Sequence, residues 1–598
     1  MKTASLPKRS SIDKRYLWNA ESLFADRAAW RREAELIEAE IERIARRRGS
    51  IAAGGAAGLA AFLTGMLELS DRVGRLYTYS LMSQAVDSGD VEAQSLSGRA
   101  GGISGQFRAA TAFLEPELIE LGRPTIEGWI GQEPGLEVYR HFVDDLFRRQ
   151  EHIRSAEVEE VLGLSSEVFE SAENTHAMLV DADMTFAPAV NGAEVAQSSI
   201  TSLLGDQDRE VRRSAWQSYC DAHIAHENTL AAAVVTAFKS DVFVARVRRF
   251  EDSLEAALFN TAIPRSVFDS TIEQFRKNLP VWHRYWKIRR RALGVERLQH
   301  WDIWAPIARE RPTVPYARAV DWISEALAPL GDEYVATLRK GCLEERWVDV
   351  YPTAGKASGA FSAGWKGSFP FVKMSYADDL QSMSTLAHEL GHSMHSWHTW
   401  RAQPSIYGDY GIFVAEVASN FNQAMTRAHL FSTQEDSQFQ IALIEEAMSN
   451  LHRYFFIMPT LAQFEREIHR RVERHQGVTA EDLNRLMADL FAEGYGGEVE
   501  IDDHREGCTW AQFNHLYMNY YVFQYATGIS AAHALAAPIL AGDTGAARRY
   551  LEFLSAGSSV YPVEALLRAG VDMRTPAAME SCFEVLSGLV DRLDRLTA

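Results

Sequence analysis

No stretch of 18 consecutive apolar residues occurs in this sequence, and its mean hydropathy of −0.20 argues against a chain built from membrane-spanning helices. Cysteine is scarce. Cys220, Cys342, Cys508 and Cys582 are far apart and form no C-x-x-C pair, which excludes a disulfide framework and fits a reducing compartment, with cytoplasm the expected location. Positive charge is in deficit. Lys and Arg number 61 against 81 Asp and Glu, and the net charge of −20 sets aside nucleic acid and anionic membrane as partners. The first residues are basic but lead into no apolar core of a signal peptide, so neither a leader nor an anchor is expected.

What remains is a long chain with ordinary apolar and charged content. Its 598 residues exceed what one hydrophobic core usually supports, so two or more lobes are expected. Most of it reads at helical period, as where Leu36, Ile37, Ile41 and Ile44 form a stripe between charged faces. The Gly/Ala-rich patch from Gly49 reads as a turn running into a small-residue helix. Near residue 195 the period turns ragged, and Asn191-Gly192 has the chemistry of a hairpin turn. The expected division is a helical lobe over 1–195 and a second domain, carrying the chemistry below, over 196–598.

Strand character concentrates in 346–352, 359–365 and 369–376, broken by Gly, Pro and Ser, so a small sheet is expected there. The next segment places Leu380, Met383, Leu386, Ala387, Leu390, Met394 and Trp397 on one helical face, with Asp378 and Gln381 as a cap pair. The free edge of 371–376 is a place where an extended peptide would pair backbone to backbone, and Lys373 there also suits an ordinary guarded edge.

That helix contains His388-Glu389-Leu390-Gly391-His392. Histidines at i and i+4 share a face with β-carbons roughly 5–6 Å apart, close enough to share one tetrahedral ion. Glu389 lies to one side, where a carboxylate takes a proton from a metal-activated water without ligating the metal. A catalytic metal needs a third ligand and an open position. Glu416 interrupts the buried side of the next apolar helix between Val414 and Val417, 24 residues after His392 (416 minus 392), and is the predicted third ligand. Gly391 costs that helix about 1 kcal/mol relative to alanine. A close helix crossing would account for it. His395 reads either as an orienter of a ligand or as a core histidine.

On H388-E-L-G-H392, the later Glu416, and the segment HLYMNYYVFQYATG at 515–528, the sequence resembles the oligoendopeptidase F branch of the thimet-type zinc metallopeptidases, family M3. The likeness extends over most of the chain, through YLWNAESLF, DADMTF, DREVRRSAW and the GKASGAF to PFVKMSY run. It departs at Gln423, where the branch usually has glutamate, at Asn514 before His515, and at Phe523 in place of a common tyrosine. The resemblance implies a mainly α, two-lobed ellipsoid with a deep substrate channel and a small β-sheet next to the zinc helix. It implies one Zn2+ per chain, held by His388, His392 and Glu416, and short cytoplasmic peptides as substrates. His515 and Tyr521 are implied as catalytic donors to the oxyanion, and Tyr517 and Tyr525 as substrate-binding residues. The tyrosines at 517, 520, 521 and 525 cannot all share one helical face, so some must pack.

The reading is a zinc endopeptidase of short oligopeptides. The alternatives are an exopeptidase of the same ligand set and a non-catalytic helical peptide-binding protein that retains a metal. Three ligands with an adjacent base favour catalysis over a structural site, which usually has four protein ligands. The sequence leaves the oligomeric state open.

Overall fold

A computed structural model describes residues 6–598; the first five, part of the stretch read for a leader, lie outside the described residues. The fold is mainly α with a three-stranded sheet, as expected. The chain divides into two compact units, each drawn from three separate stretches: 1–151, 313–430 and 535–570 form the first, and 152–312, 431–534 and 571–598 the second. The expected division at residue 195 therefore differs from the observed one. The Asn191-Gly192 turn lies inside the second unit, with Gly192 at φ +81 and the Ala189 N–H donating to the Ala193 carbonyl at 2.9 Å. That turn reverses the chain locally without ending a core.

In the first unit, helices Arg27–Ala45, Ile51–Val86 and Val91–Thr111 pack around Trp18, Trp30, Ile37, Leu76 and Met82, and Phe371 of the sheet joins this core. Ile51–Val86 is long and apolar enough by length and composition to cross a membrane, yet Leu69, Val73 and Leu76 face this core and Leu59, Phe62 and Leu63 face a second one. In the second unit, Trp282, Trp286, Phe456 and Tyr495 form a buried aromatic cluster with ring centroids 5.1–5.7 Å apart.

The sheet consists of β1 (Val348–Asp349), β2 (Phe361–Ala363) and β3 (Phe371–Lys373), in the order β1-β3-β2. β3 is parallel to β1 and antiparallel to β2. It is the central strand, paired on both sides over Phe371–Lys373, so the expected free edge is absent along those three residues. Lys373 is not an edge guard either. It is buried, and its Nζ donates to the carbonyls of Ala357 and Ser358 at 2.7 and 2.6 Å. Burial pushes its pKa down to about 8.

Asp349 on β1 anchors the N-terminal segment. It accepts Arg9 Nη1 and Nη2 at 3.0 and 2.6 Å, the Trp18 N–H at 3.2 Å, and Lys356 Nζ at 2.8 Å. Burial alone would raise its pKa, but the two cations outweigh burial and hold the carboxyl below its ordinary range. A carboxylate whose folded pKa is depressed confers stability that is present above its unfolded pKa and is lost as pH falls through the folded value. Asp349→Asn is therefore expected to destabilise the protein by about 2 kcal/mol at neutral pH. The gap to wild type should narrow below the ordinary aspartate range, which thermal unfolding at several pH values measures.

Candidate active site

Helix Leu380–Ala402 begins at Asp379, whose side chain accepts the Ser382 N–H at 2.7 Å. Asp378, the expected cap, instead takes a left-handed turn at φ +54 and accepts the Val314 N–H through its carbonyl at 2.8 Å, so the cap falls one residue later. The apolar stripe read from the sequence is largely buried: Leu380, Met383, Leu386, Ala387, Leu390 and Met394 are all in the core.

Gly391 faces helix Ile412–Thr433. A β-carbon added there would lie 2.4 Å from the Ala418 carbonyl oxygen and 2.6 Å from the Ser419 Cα. This close crossing brings Glu416, two residues before Ala418, alongside the histidines. Val414 and Val417, which flank Glu416, are 4% and 0% exposed, so the helix side carrying it is the packed one.

The three predicted ligands converge. His388 Nε2 lies 3.2 Å from His392 Nε2 and 3.5 Å from Glu416 Oε2, and the ligand atoms of the three residues all fall within 4.8 Å of one another. Two nitrogens bound tetrahedrally to zinc at about 2.0–2.1 Å stand roughly 3.3 Å apart, so the imidazole pair has the spacing the ion requires. Both rings are oriented from behind. His388 Nδ1 faces Gln423 Oε1 at 3.3 Å, and Gln423 Nε2 donates to Ser384 Oγ at 2.8 Å. The His392 ring bonds to the Ala415 carbonyl. Donation from Nδ1 leaves the Nε2 lone pair of His388 for the metal. Gln423 thus fills its place as a neutral acceptor. Ser419 Oγ donates to Glu416 Oε2 at 3.1 Å.

Glu389 is 6% exposed. Burial pushes its pKa up to about 7, opposed by the neighbouring His388, Lys373 and the backbone N–H of Ser362 on β2. A carboxylate poised near neutrality suits proton transfer in both directions. His395 is buried and stacks on Tyr410 at 3.6 Å, with Phe553 beyond it, which makes it a core histidine and not an orienter of a ligand. Tyr410 was not read from the sequence. Its hydroxyl shares a hydrogen bond with Ser396 at 2.7 Å and donates to the His392 carbonyl at 3.3 Å, bracing the metal helix. Ser362 was also missed, because no local pattern marks a backbone N–H brought in by a neighbouring strand.

His388, Glu389, His392 and Glu416 belong to the first unit; His515, Tyr517, Tyr521 and Tyr525 belong to the second. These last four do not lie on one helix. A 3-10 turn covers Asn514–Tyr517, a bend follows, and the helix starts at Phe523. Three of them cluster: the His515 ring is 6.0 Å from Tyr521 and 5.9 Å from Tyr525, and the two tyrosine hydroxyls are 2.9 Å apart. Tyr525 also stacks on Tyr454 at 5.0 Å. Tyr517 turns away to pack on His176 at 5.0 Å. Burial pushes the His515 pKa down to about 4, so its imidazole is neutral at pH 7, and its Nδ1 has no hydrogen-bond partner among the described residues.

Residues 202–585 match the profile described as Peptidase family M3, and residues 117–186 match the one described as Oligopeptidase F. The chain belongs to peptidase family M3. It is 34% identical to oligopeptidase PepF of Bacillus subtilis over 100% of this chain and 89% of that protein. It is 33% identical to group B oligopeptidase PepB of Streptococcus agalactiae over 99% and 98% of the two chains. The crystal structure of oligoendopeptidase-F from Enterococcus faecium superimposes with a TM-score of 0.73 at 30% identity, covering 94% of this chain and 98% of that one. M3 enzymes are metallopeptidases, and this chain is a peptidase whose His388, His392 and Glu416 stand close enough together to hold a metal ion.

Proposed function

We propose that this protein is a zinc-dependent oligoendopeptidase that hydrolyses internal bonds of short peptides. The observation that carries the reading is the convergence of His388 Nε2, His392 Nε2 and Glu416 Oε2 beside the buried carboxyl of Glu389. Three ligands and an adjacent base are the parts of a catalytic site with a position left open. The PepF, PepB and oligoendopeptidase-F relatives, named for action on oligopeptides, support the substrate class. The four cysteines are buried and unpaired, which supports a reducing compartment such as the cytoplasm.

A zinc ion at this site supplies Lewis acidity, bringing the pKa of its water toward neutrality and polarising the scissile carbonyl. Glu389 takes the proton from the attacking water and returns it to the departing amine. The resemblance assigns His515 and Tyr521 as donors to the oxyanion. A neutral His515 donates an N–H without first being protonated, and the hydroxyl of Tyr525, 2.9 Å from that of Tyr521, orients it. Tyr525 is proposed to contact the peptide, whereas Tyr517, packed on His176, is left to the core.

Internally quenched peptides blocked at both ends test the reading. Cleavage at internal bonds is expected, lost on chelation and restored by one equivalent of zinc per chain. Trimming of free-ended peptides with blocked ones spared would make the enzyme an exopeptidase, and cleavage that survives complete metal removal would overturn the metal mechanism.

A further inference from the structure

Tyr520 stands in the left-handed region at φ +48, a conformation an aromatic residue keeps only where its surroundings enforce it. One helix, Met458–Glu473, supplies the enforcement. Its Glu465 Oε1 accepts the Tyr520 N–H at 2.7 Å, its Arg466 Nη1 donates to the Tyr520 hydroxyl at 3.1 Å, and its His469 ring stacks on the tyrosine ring at 4.7 Å. His469 is fixed in turn, with Nδ1 on the Glu465 carbonyl at 2.9 Å and Nε2 facing Asp241 Oδ2 at 3.2 Å.

Glu465 is 1% exposed, and its second oxygen has no hydrogen-bond partner among the described residues. An unpaired charge there would be costly, and burial with Asp241 nearby pushes the carboxyl well above its ordinary range. A buried acid of this kind is a poor choice for packing alone. Its one polar contact in the segment is the backbone of the residue before Tyr521.

That contact sets geometry. The Tyr521 N–H donates to the Met518 carbonyl at 3.0 Å, closing a turn whose exit leads into helix Phe523–Leu540. The backbone angles at Tyr520 fix the direction in which Tyr521 leaves that turn, and with it the placing of its hydroxyl against His515 and Tyr525. Oxyanion donors act only when held within a few tenths of an ångström of their place.

We propose that Glu465 is a positioning residue for peptide hydrolysis: its carboxyl grips the Tyr520 N–H, holds the left-handed turn, and so presents the Tyr521 hydroxyl to the reaction. This rests on the reading of Tyr521 as an oxyanion donor. Glu465→Gln keeps an acceptor oxygen in the same position and is expected to retain kcat within about twofold. Glu465→Asp keeps the carboxyl but withdraws it by about 1.5 Å. It is expected to lower kcat about tenfold per zinc-loaded molecule with KM little changed.

The test measures kcat and KM for E465Q, E465D, Y521F and the E465D/Y521F pair in the zinc-loaded full-length enzyme, with hydrogen exchange at the Tyr520 amide. E465D should add nothing to the loss caused by Y521F, and the Tyr520 amide should be protected in wild type and E465Q but exchange faster in E465D. Unchanged kcat in E465D alongside a slowed Y521F, or losses that multiply in the pair, would overturn the proposal. Full activity in Y521F would remove Tyr521 from its role; the exchange data then still decide whether Glu465 holds the turn, since equal protection in E465D and wild type would overturn that too.

Discussion

Glu389→Gln is expected to bind zinc at the wild-type stoichiometry and to cleave peptide about 10²–10⁴-fold more slowly in kcat, with KM little changed. The substitution removes one function and keeps the rest. Glutamine has the size of the buried glutamate, and its carbonyl oxygen can still accept the Ser362 N–H on β2. His388, His392 and Glu416, with the bonds from Gln423 and Ser419 that orient two of them, are untouched. What is lost is a group able to take a proton from water and give it back. Metal analysis, circular dichroism and steady-state kinetics on one quenched peptide read the outcome together. A variant that keeps its zinc and loses less than threefold in kcat would remove Glu389 from the mechanism. Loss of zinc along with activity would show instead that Glu389 helps hold the site together.

The metal centre was legible in the sequence because its parts are local. His388 and His392 are a single helical turn apart, and Glu416 betrayed itself as a carboxylate between Val414 and Val417 on an apolar face. Gly391 was legible for the same reason, as a residue its helix would not choose for its own stability. What was not legible depends on partners distant in sequence. β3 reads as an edge strand until β1 and β2 are seen to pair on either side of it. The turn at Tyr520 is not legible either, because nothing nearby announces that Glu465, 55 residues upstream, will hold it in a left-handed conformation. The division at residue 195 failed likewise: a turn signal is local, whereas each compact unit gathers three separate stretches of chain.

Gly391→Ala is the variant in which fold and site should fail together. In an exposed helix the change would be favourable by about 1 kcal/mol, because alanine is the better helix former. Here the new methyl would meet the Ala418 carbonyl oxygen at 2.4 Å and the Ser419 Cα at 2.6 Å, both backbone atoms that cannot swing aside as a side chain would. The two helices must separate, and overpacking of this kind typically costs about 1–3 kcal/mol. The clash exceeds the propensity gain, so the metal-free protein should unfold at lower temperature than wild type. The displacement also acts where it does most harm to ligation: Gly391 adjoins His392, and Glu416 lies two residues before Ala418 on the helix pushed away. A shift of about 1 Å in a group held for chemistry can cost 10²-fold. Zinc affinity measured by chelator competition should fall by about that factor, and raising free zinc should recover part of the lost activity. A Gly391→Ala protein as stable as wild type, with unchanged zinc affinity, would mean that the helices have slack at this crossing and that the glycine is not what brings Glu416 to the histidines.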